Sequence, residues 1–348
     1  MSEKKLLAIS FCYLVLDIFA FSLVLPWLPT LFEFFEEKPD GLHRFTKTII
    51  RRVSSVLSIE NPASWDNVVM GGLVTSAFSL CHCLSSTVAG ALSDLYSRRP
   101  LLISLQIFSI IAYVSTAWFG TSFVCFVCSR LLCGATRANV AVLTALVSDY
   151  SPAISRSRAM AVIGAAYSIG FTLGPLISAL TISRLVDRSE RDRLLGYLGY
   201  SAALLNTMGL FFLCGRLTQA DVRKVQKRST GISQQCVLQI LNVHKLFSFN
   251  NLTMTKAGDA CLRRLSLIYF LYLLLFSGLE FTLLFLTRSR FGYTSQDQGR
   301  MFSFLGIVMI LVQAGLIRRF QIDQMYLGTV VGHCLRKFFN HSDRGHIN

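Results

Sequence analysis

Long apolar runs separated by short charged segments dominate the hydropathy pattern of the chain. A helix rises about 1.5 Å per residue, so about 20 apolar residues are needed to cross the roughly 30 Å hydrocarbon core of a bilayer. Eight runs reach or approach this length, and we therefore predict eight membrane-spanning helices. They cover residues 6–31, 68–92, 101–119, 123–147, 159–183, 194–214, 265–286 and 300–317.

The hydropathy pattern divides the chain into four parts. Residues 1–214 are predicted to form an amino-terminal half of six helices. Residues 215–264 form a long polar linker with nine Lys or Arg and two Asp or Glu, a composition typical of a flexible cytoplasmic segment. Residues 265–317 hold the last two helices. Residues 318–348 lose the apolar pattern, so we predict a cytoplasmic tail there, outside the helical region.

The composition agrees with a membrane protein. Of the 348 residues, 53% are hydrophobic and 15% are charged, and the mean hydropathy is +0.52. A soluble domain carries about 25% charged residues. The 27 Phe residues and 7 Pro residues favour helices in lipid over a β-barrel, whose strands would alternate apolar and polar positions. The predicted fold class is an all-α polytopic membrane protein, with the lipid bilayer as a partner.

The charge pattern predicts the orientation. The formal net charge is +15, and the Lys and Arg residues lie in loops, as expected of cytoplasmic segments. The amino terminus, with Lys4 and Lys5, and the central linker are therefore predicted to be cytoplasmic, in the plasma membrane or an intracellular membrane. Because topology accounts for the basic residues, nucleic-acid binding is not predicted.

The Cys125-x-x-Cys128 spacing lies in an apolar run and indicates packing, so we predict no metal site and no cofactor.

Four charged residues lie inside apolar runs, where a charge costs about 2.5–3.5 kcal/mol on insertion scales. Asp17 in the first span and Glu280 in the seventh are candidates for proton or cation coupling, or for structural contacts with neighbouring helices. Arg130 and Arg137 lie seven residues apart on one face of the fourth span. A fixed positive charge beside a central cavity would attract an anionic substrate, although Arg137 could instead extend toward one membrane face.

The fifth span contains Gly170, Gly174 and Pro175. Glycines four residues apart let another helix approach closely, and proline frees a backbone carbonyl and bends the helix. Such a bend suits a helix that moves beside a cavity, although membrane helices also tolerate proline for packing. His82 in the second span lies beside a face of small residues, and we interpret it as a packing residue.

The segment from Gly90 to Pro100 separates the second and third spans. Gly90 ends one apolar run and Pro100 opens the next, as a helix-starting proline would, and we expect Asp94, Arg98 and Arg99 to face water. A turn this short makes the flanking helices antiparallel neighbours. It also fixes three charges at one membrane face.

This hinge resembles the loop between the second and third helices of the major facilitator superfamily, usually written G-x-L-[SA]-D-[RK]-x-G-R-[RK]. Leu95 and Ser97 depart from the pattern, where the family usually has a basic residue and a second glycine. The matching positions are Gly90, Leu92, Ser93, Asp94, Arg98 and Arg99. Three further stretches resemble motifs of the family, namely Asp17 with Pro26 and Pro29 in helix 1, Arg130 with Gly134 in helix 4, and the antiporter signature from Gly170 to Ser178 in helix 5.

The resemblance covers roughly residues 6–320 and implies two six-helix halves around a central cavity with alternating access. In the family, the acid and bases of the hinge latch one half to the other, so Asp94, Arg98 and Arg99, together with Gly90 of the same motif, are expected to form a conformational latch. The implied activity is transport of small organic solutes, by proton coupling or exchange. Organic anions and drugs are the candidate solutes.

The number of predicted helices departs from the family, which has twelve. We therefore expect a complete amino-terminal half and a second half that stops after helix 8, as in a truncated gene model, a splice form or a shifted reading frame. This raises a second hypothesis, a non-transporting membrane protein that binds partners or is inactive. No catalytic constellation is found, so we do not predict an enzyme, and the oligomeric state stays open.

Overall fold

The chain folds into helices throughout the residues that the structure describes. The structure is a computed structural model, which describes residues 3–56, 62–95, 97–119, 122–152, 155–184, 191–216 and 256–311. The helices are α1 Glu3–Ser22, α2 Leu28–Glu37, α3 Gly41–Val56, α4 Pro62–Leu95, α5 Arg98–Phe119, α6 Phe123–Thr136, α7 Ala138–Tyr150, α8 Arg156–Arg184, α9 Arg191–Arg216, α10 Lys256–Phe291 and α11 Ser295–Leu311. In this part of the chain the predicted all-α fold class is confirmed.

Within the described residues, six segments are long and apolar enough to cross a membrane, and they correspond to the six predicted amino-terminal spans. They are Lys4–Trp27, Val68–Ser93, Arg98–Phe119, Phe123–Tyr150, Arg158–Thr181 and Gly196–Gly215. The predicted seventh span lies within α10, and residues 300–311 of the predicted eighth span lie on α11, whereas its residues 312–317 lie outside the described residues. Helix extends into both ends of the predicted linker, because residues 215–216 end α9 and residues 256–264 begin α10. The rest of the linker and the predicted tail from residue 318 lie outside the described residues.

The first predicted span is not one helix. α1 ends at Ser22, a short 3-10 turn covers Leu25–Trp27, and α2 begins at Leu28. Pro26 and Pro29 explain the break, because proline lacks an N–H and its ring clashes with the preceding turn inside a helix. Each proline is tolerated in the first turn of the element that follows. The prediction of a single helix over residues 6–31 is therefore wrong at its carboxyl end.

The hinge is shorter than the sequence predicts. α4 continues through Gly90 to Leu95, and α5 begins at Arg98. Pro100 therefore lies within the first turn of α5, where its missing N–H is tolerated, and does not open the helix. A Cβ atom built on Gly90 meets no other atom within 4 Å, so no close contact requires glycine there. The helix therefore runs three residues beyond the predicted end of the second span at Leu92.

Short connections between spans give the bundle two ends. We call the end with the α4–α5 and α7–α8 connections the hinge face, and the end with α2, α3 and the α10–α11 turn the opposite face. At the opposite face, a carboxylate oxygen of Asp40 accepts hydrogen bonds from the Ser122 hydroxyl at 2.8 Å and the Phe123 N–H at 2.6 Å. Asp40 thereby caps α6 from a distant part of the chain. Phe35 adds to this attachment, with its ring centroid 5.4 Å from that of Phe123 and 5.3 Å from that of Phe126.

α8 packs closely against α1 through the glycines of the fifth span. A Cβ atom on Gly170 would lie 2.8 Å from the Cβ atom of Ile18, and one on Gly174 would overlap the hydroxyl of Ser22. The same hydroxyl donates a hydrogen bond of 3.0 Å to the carbonyl of Gly170. Neither position has room for a side chain, so the two glycines set the distance between these helices.

On its other side, α8 packs against α11, and here the glycines belong to α11. A Cβ atom on Gly299 would lie 2.6 Å from the Cβ atom of Ala179 and 2.7 Å from the carbonyl oxygen of Pro175. A Cβ atom on Gly306 would overlap the hydroxyl of Thr172. α8 is therefore fixed between the first span and α11, and it joins the amino-terminal half to the helices that follow the linker.

Candidate functional site

A cavity of about 370 Å³ lies where the amino-terminal spans meet α10 and α11. Most of the side chains around it are apolar or aromatic, and Phe21 and Phe78 stack there with ring centroids 5.8 Å apart. Its charged lining residue is Arg137. The cavity is lined by Phe21, Leu25, Phe78, His82, Arg137, Val140, Ala141, Tyr167, Leu284 and Phe302. This combination fits a small molecule with an apolar body and one charged or polar group.

Arg137 is the residue at which the fourth span breaks. It ends α6 and precedes α7, and its N–H donates to the carbonyls of Cys133 and Gly134. A Cβ atom on Gly134 would lie 2.5 Å from the carbonyl oxygen of Phe78, so this glycine allows α4 and α6 to pack closely. The guanidinium of Arg137 lies over the ring of Phe21, 4.4 Å from its centroid. The local turn and these contacts hold the cation at the cavity wall.

Asp17 pairs with Arg137. The Nη1 atom of Arg137 donates to Oδ2 of Asp17 at 2.7 Å, and Asp17 is 2% exposed while Arg137 is 7% exposed. The other carboxylate oxygen accepts from the amide of Asn139 at 3.2 Å. Two buried charges are stable together only when attraction and hydrogen bonds offset their desolvation. The structure therefore brings together two of the four intramembrane charges that the sequence singles out.

A network of buried polar groups extends from Asn139 to three other spans. The amide of Asn139 also donates to the Tyr13 hydroxyl at 2.8 Å, and that hydroxyl donates to Oε1 of Gln106 at 2.6 Å. The amide nitrogen of Gln106 donates to Oδ1 of Asn206 at 2.7 Å. The network connects α1, α5, α7 and α9. Sequence reasoning missed these four residues, although phenol and amide side chains inside apolar runs were a usable signal.

Arg130 is buried apart from the Asp17–Arg137 pair. It is 7% exposed, and its guanidinium carbon lies 5.5 Å from the ring centroid of Phe126. Among the side chains that the structure describes, its buried Nε and Nη2 atoms find no hydrogen-bond partner. The structure does not place Arg130 among the lining residues of the cavity. Of the two arginines, it is Arg137 that occupies the position predicted for a fixed charge beside a cavity.

Two other predicted residues have side chains outside the part of the structure that is described. Asp94 lies near the end of α4, and Glu280 lies within α10. The roles predicted for them, a latch and a coupling acid, stay predictions. His82, which the sequence indicated as a packing residue, lines the same cavity as Arg137 in the described structure. Its ring also lies beside that of Phe78, with centroids 6.5 Å apart, and the packing interpretation stays a prediction.

At the hinge face, the two arginines bind the ends of other spans. Arg98 is 7% exposed, and its Nη2 atom lies 2.6 Å from a carboxylate oxygen of Asp149 at the end of α7. Arg99 donates to the carbonyl of Cys214 near the end of α9 at 3.2 Å, a favourable position for a cation at a helix carboxyl end. The expectation that Arg98 faces water is wrong, since the α4–α5 turn places it against α7.

At the opposite face, an ion pair that the sequence analysis did not anticipate joins the amino-terminal half to α10. Arg288 contacts Glu33 with two hydrogen bonds, from Nε to Oε1 at 2.9 Å and from Nη2 to Oε2 at 2.8 Å. Such a bidentate pair fixes orientation better than a single contact does. Glu33 lies on α2, so this contact spans the boundary on which the cavity also lies.

Comparison with known proteins gives one consistent result. The model of the Major Facilitator Superfamily matches residues 7–335. The bovine "Major facilitator superfamily domain-containing protein 10" is 35% identical over 324 residues, which cover 91% of this chain and 68% of the bovine protein. The crystal structure of the human organic anion transporter MFSD10 (TETRAN) superimposes with a TM-score of 0.75 at 32% identity, covering 92% of this chain and 73% of that one.

A weaker similarity reaches bacterial proteins. The tetracycline resistance protein of class H from Pasteurella multocida is 25% identical over 167 residues, or 48% of this chain and 35% of the bacterial protein. The family model, the animal relative and the solved structure all cover both the six amino-terminal spans and the helices after the linker. On these matches the chain belongs to the major facilitator superfamily, and it is a multi-pass membrane transporter and not an enzyme.

Proposed function

We propose that this protein carries small organic anions with an apolar body across its membrane by alternating access. The observation that carries the proposal is the charge balance inside the spans. Among the described side chains there, Arg130 and Arg137 accompany one carboxylate, Asp17. Two buried cations beside one carboxylate leave a net positive charge, which is costly, and an anion bound at Arg137 would reduce it.

The form of the cavity supports an anion with an aromatic or aliphatic body. Arg137 offers a planar guanidinium that suits a carboxylate or a similar oxyanion. The remaining wall, with Phe21, Phe78 and Phe302, offers apolar surface of the kind that buries the body of a small ligand. The name of the solved human relative, an organic anion transporter, agrees with this substrate class. The tetracycline resistance proteins support drug-like molecules as a neighbouring class.

Asp17 is the residue that we propose for proton coupling. Arg137 can bind either Asp17 or a substrate anion, and these two uses compete. When the anion binds the guanidinium of Arg137, Asp17 stays buried without its cation. Uptake of a proton by Asp17 then lowers the free-energy cost of burying its carboxylate. Anion binding and proton uptake are thereby linked, and exchange of one anion for another needs no net proton movement.

Alternating access requires contacts that close one face at a time. Glu33 and Arg288 are our candidates at the opposite face, and Asp94, Arg98 and Arg99 remain the proposed latch at the hinge face. The excess of Lys and Arg in the amino terminus and linker supports a cytoplasmic location for the hinge face. The plasma membrane and intracellular membranes both fit this arrangement.

The test is uptake by the full chain in proteoliposomes, with radiolabelled naphthalene-2-carboxylate as the probe and 2-naphthamide as its neutral counterpart. We expect saturable uptake of the carboxylate alone, driven by an imposed pH difference. Arg130→Gln and Arg137→Gln should each lower carboxylate uptake at least tenfold. Asp17→Asn should abolish the response to the pH difference.

Glu280→Gln is the deciding control, because Glu280 is the competing counter-charge for the arginines. If this variant loses uptake while Arg130→Gln retains it, the charge-balance argument is wrong. Equal uptake of the amide and the carboxylate would exclude anion selectivity. A folded wild-type chain that transports neither compound would favour the second hypothesis, a non-transporting membrane protein.

A further inference from the structure

α3 runs across the ends of two spans at the opposite face. Near its start, the ring of His43 meets the ring of Phe123 edge-on, with centroids 5.2 Å apart. Two turns later, Nε of Arg51 donates to a carboxylate oxygen of Asp66 at 3.2 Å. Phe123 begins α6 and Asp66 lies in the first turns of α4. α3 therefore contacts the starts of two different spans.

The spacing of these contacts indicates how α3 is oriented. The rise from residue 43 to residue 51 is about 12 Å for an α-helix. Two packed helices have axes about 8–10 Å apart, and α4 and α6 are neighbours in the bundle. α3 thus extends from one span to the next across their ends, so it lies roughly in the plane of the membrane surface.

One flank of α3 is apolar and exposed. His43 and Ile50, which are 1% and 3% exposed, face the bundle. Leu42, Phe45 and Ile49 are 37%, 64% and 45% exposed, and at 3.6 residues per turn they lie within about 60° of one another. This stripe lies about 120° around the helix from the buried side. The stripe therefore forms one flank of the helix, which the described part of the bundle leaves exposed.

All the charged residues of α3 are basic. The helix contains Arg44, Lys47, Arg51 and Arg52 and no acidic residue. Lys47 pairs with Glu36 and Arg51 with Asp66. By helical geometry Arg44 lies on the flank opposite the apolar stripe, whereas Arg52 borders the stripe on the side away from the bundle. An in-plane helix with one apolar flank and cations around it has the properties of an interfacial helix.

We propose that α3 is a lipid-binding helix that lies in the headgroup layer of the leaflet at the opposite face. Leu42, Phe45 and Ile49 insert among the acyl chains next to the bundle. Arg44 on the other flank and Arg52 beside the stripe bind the phosphates of anionic lipids, and the aliphatic stem of Arg52 lies along the edge of the stripe. The occupant of the exposed flank is the bilayer that surrounds the protein, and this follows from the in-plane orientation and the charge complementarity.

The test uses the full chain in phosphatidylcholine nanodiscs, with the photo-crosslinker benzoylphenylalanine at position 45. Position 48, an exposed threonine on the polar side of the same helix, provides the matched control. We expect phospholipid adducts at position 45 in mass spectra, at least fivefold more abundant than at position 48. Crosslinks from position 45 to other residues of the chain, or equal lipid adducts at both positions, would overturn the proposal.

A second measurement examines the charge component. In nanodiscs with one phosphatidylglycerol per four phosphatidylcholine molecules, adducts at position 45 should be enriched at least twofold in phosphatidylglycerol over that ratio. The double variant Arg44→Gln with Arg52→Gln should return the adducts to the bulk ratio, because both phosphate ligands are lost. Bulk composition in the parent protein, or unchanged enrichment in the variant, would show that the arginines do not bind lipid phosphate.

Discussion

The charges of Asp17 and Arg137 are buried together, and each depends on the other. The 2.7 Å contact between them and the hydrogen bond from Asn139 offset the cost of removing both charges from water. Losing one partner leaves the other buried and unpaired, which costs about 3–5 kcal/mol. Losing both charges removes the attraction and the desolvation cost together. The pair is therefore expected to behave as a unit.

We expect Asp17→Asn and Arg137→Gln each to lower the thermal unfolding temperature in detergent micelles, and the double variant to recover part of the loss. The reason is that the double variant leaves no uncompensated charge. Differential scanning fluorimetry of the four proteins gives the coupling between the two sites. Thr144→Val, a polar change elsewhere on α7, serves as the control, and strictly additive losses would contradict the pairing.

At the scale of helices, the distances between α1, α8 and α11 are set by glycines. A Cβ atom on Gly174 would overlap Ser22, whereas a Cβ atom on Gly90 would meet nothing within 4 Å. Both glycines belong to stretches that resemble family motifs. The structure gives them different physical settings, because only Gly174 is at a helix–helix contact.

Gly174→Ala is expected to destabilise the fold by about 1–3 kcal/mol, because α1 and α8 must move apart to accept the methyl group. Gly90→Ala should be neutral or stabilise by up to about 1 kcal/mol, because alanine is the better helix former and has space there. Thermal unfolding of both variants beside the wild type measures the difference. Equal losses in the two variants would show that the α1–α8 contact is not tight.

α3 also contains a titratable group that couples the fold to pH. Burial, followed by the cation of Lys47, lowers the pKa of His43 from its usual 6.5, with Glu36 and Asp40 opposing that shift. As the pH falls below about 6.5, the unfolded chain gains a proton that the folded chain does not yet bind. The contribution of neutral His43 to stability is therefore present above that pH and lost below it.

Replacing His43 with leucine should reduce the loss of stability between pH 7.5 and pH 5.5. The unfolding temperature of the wild type and the variant, measured at both pH values, gives the comparison. Asp40 does not interfere in this window, because the Ser122 hydroxyl and the Phe123 N–H lower its pKa below 3.8. A fall of the same size in both proteins would show that His43 does not carry the pH dependence.

The elements of the fold were more predictable than the contacts of the site. The six spans follow from local hydropathy, which needs no knowledge of neighbours. The different surroundings of Arg130 and Arg137 do not follow from local hydropathy. They arise because the fourth span breaks at Arg137, which brings this side chain to Asp17, 120 positions away in the sequence. The cavity position of His82 likewise depends on α10 and α11, which close the space beside it. Proline explains the break after Ser22, and the pattern at Pro26 could have indicated it.

At the scale of the whole molecule, the ion pairs described at the two faces differ in the parts of the chain that they connect. Arg98 and Asp149 lie within the amino-terminal half, whereas Glu33 and Arg288 join that half to α10. Opening the opposite face must break the second pair but leaves the first intact. Because both partners of the Glu33–Arg288 contact are partly exposed, it is worth no more than about 1 kcal/mol. That energy is enough to shift a conformational equilibrium about fivefold.

Glu33→Gln and Arg288→Gln should therefore increase access to the cavity from the opposite face by up to about fivefold. Access is measured as the rate at which a membrane-impermeant maleimide labels a cysteine placed at Leu25, with the labelled peptide identified by mass spectrometry. Arg290→Gln, which removes a neighbouring exposed cation of α10, provides the control. An unchanged rate in both Glu33 and Arg288 variants would show that this pair does not close the face.

The cap that Asp40 places on α6 has a consequence for biosynthesis. A chain is made from its amino end at about 5–20 residues per second, so the 83 positions from Asp40 to Phe123 take about 4–17 seconds. The capping carboxylate is thus already present when the fourth span leaves the ribosome. Arg288 reaches Glu33 only after 255 positions. The amino-terminal half can therefore assemble its outer end during translation, before α10 is made, and α10 then joins a preformed surface.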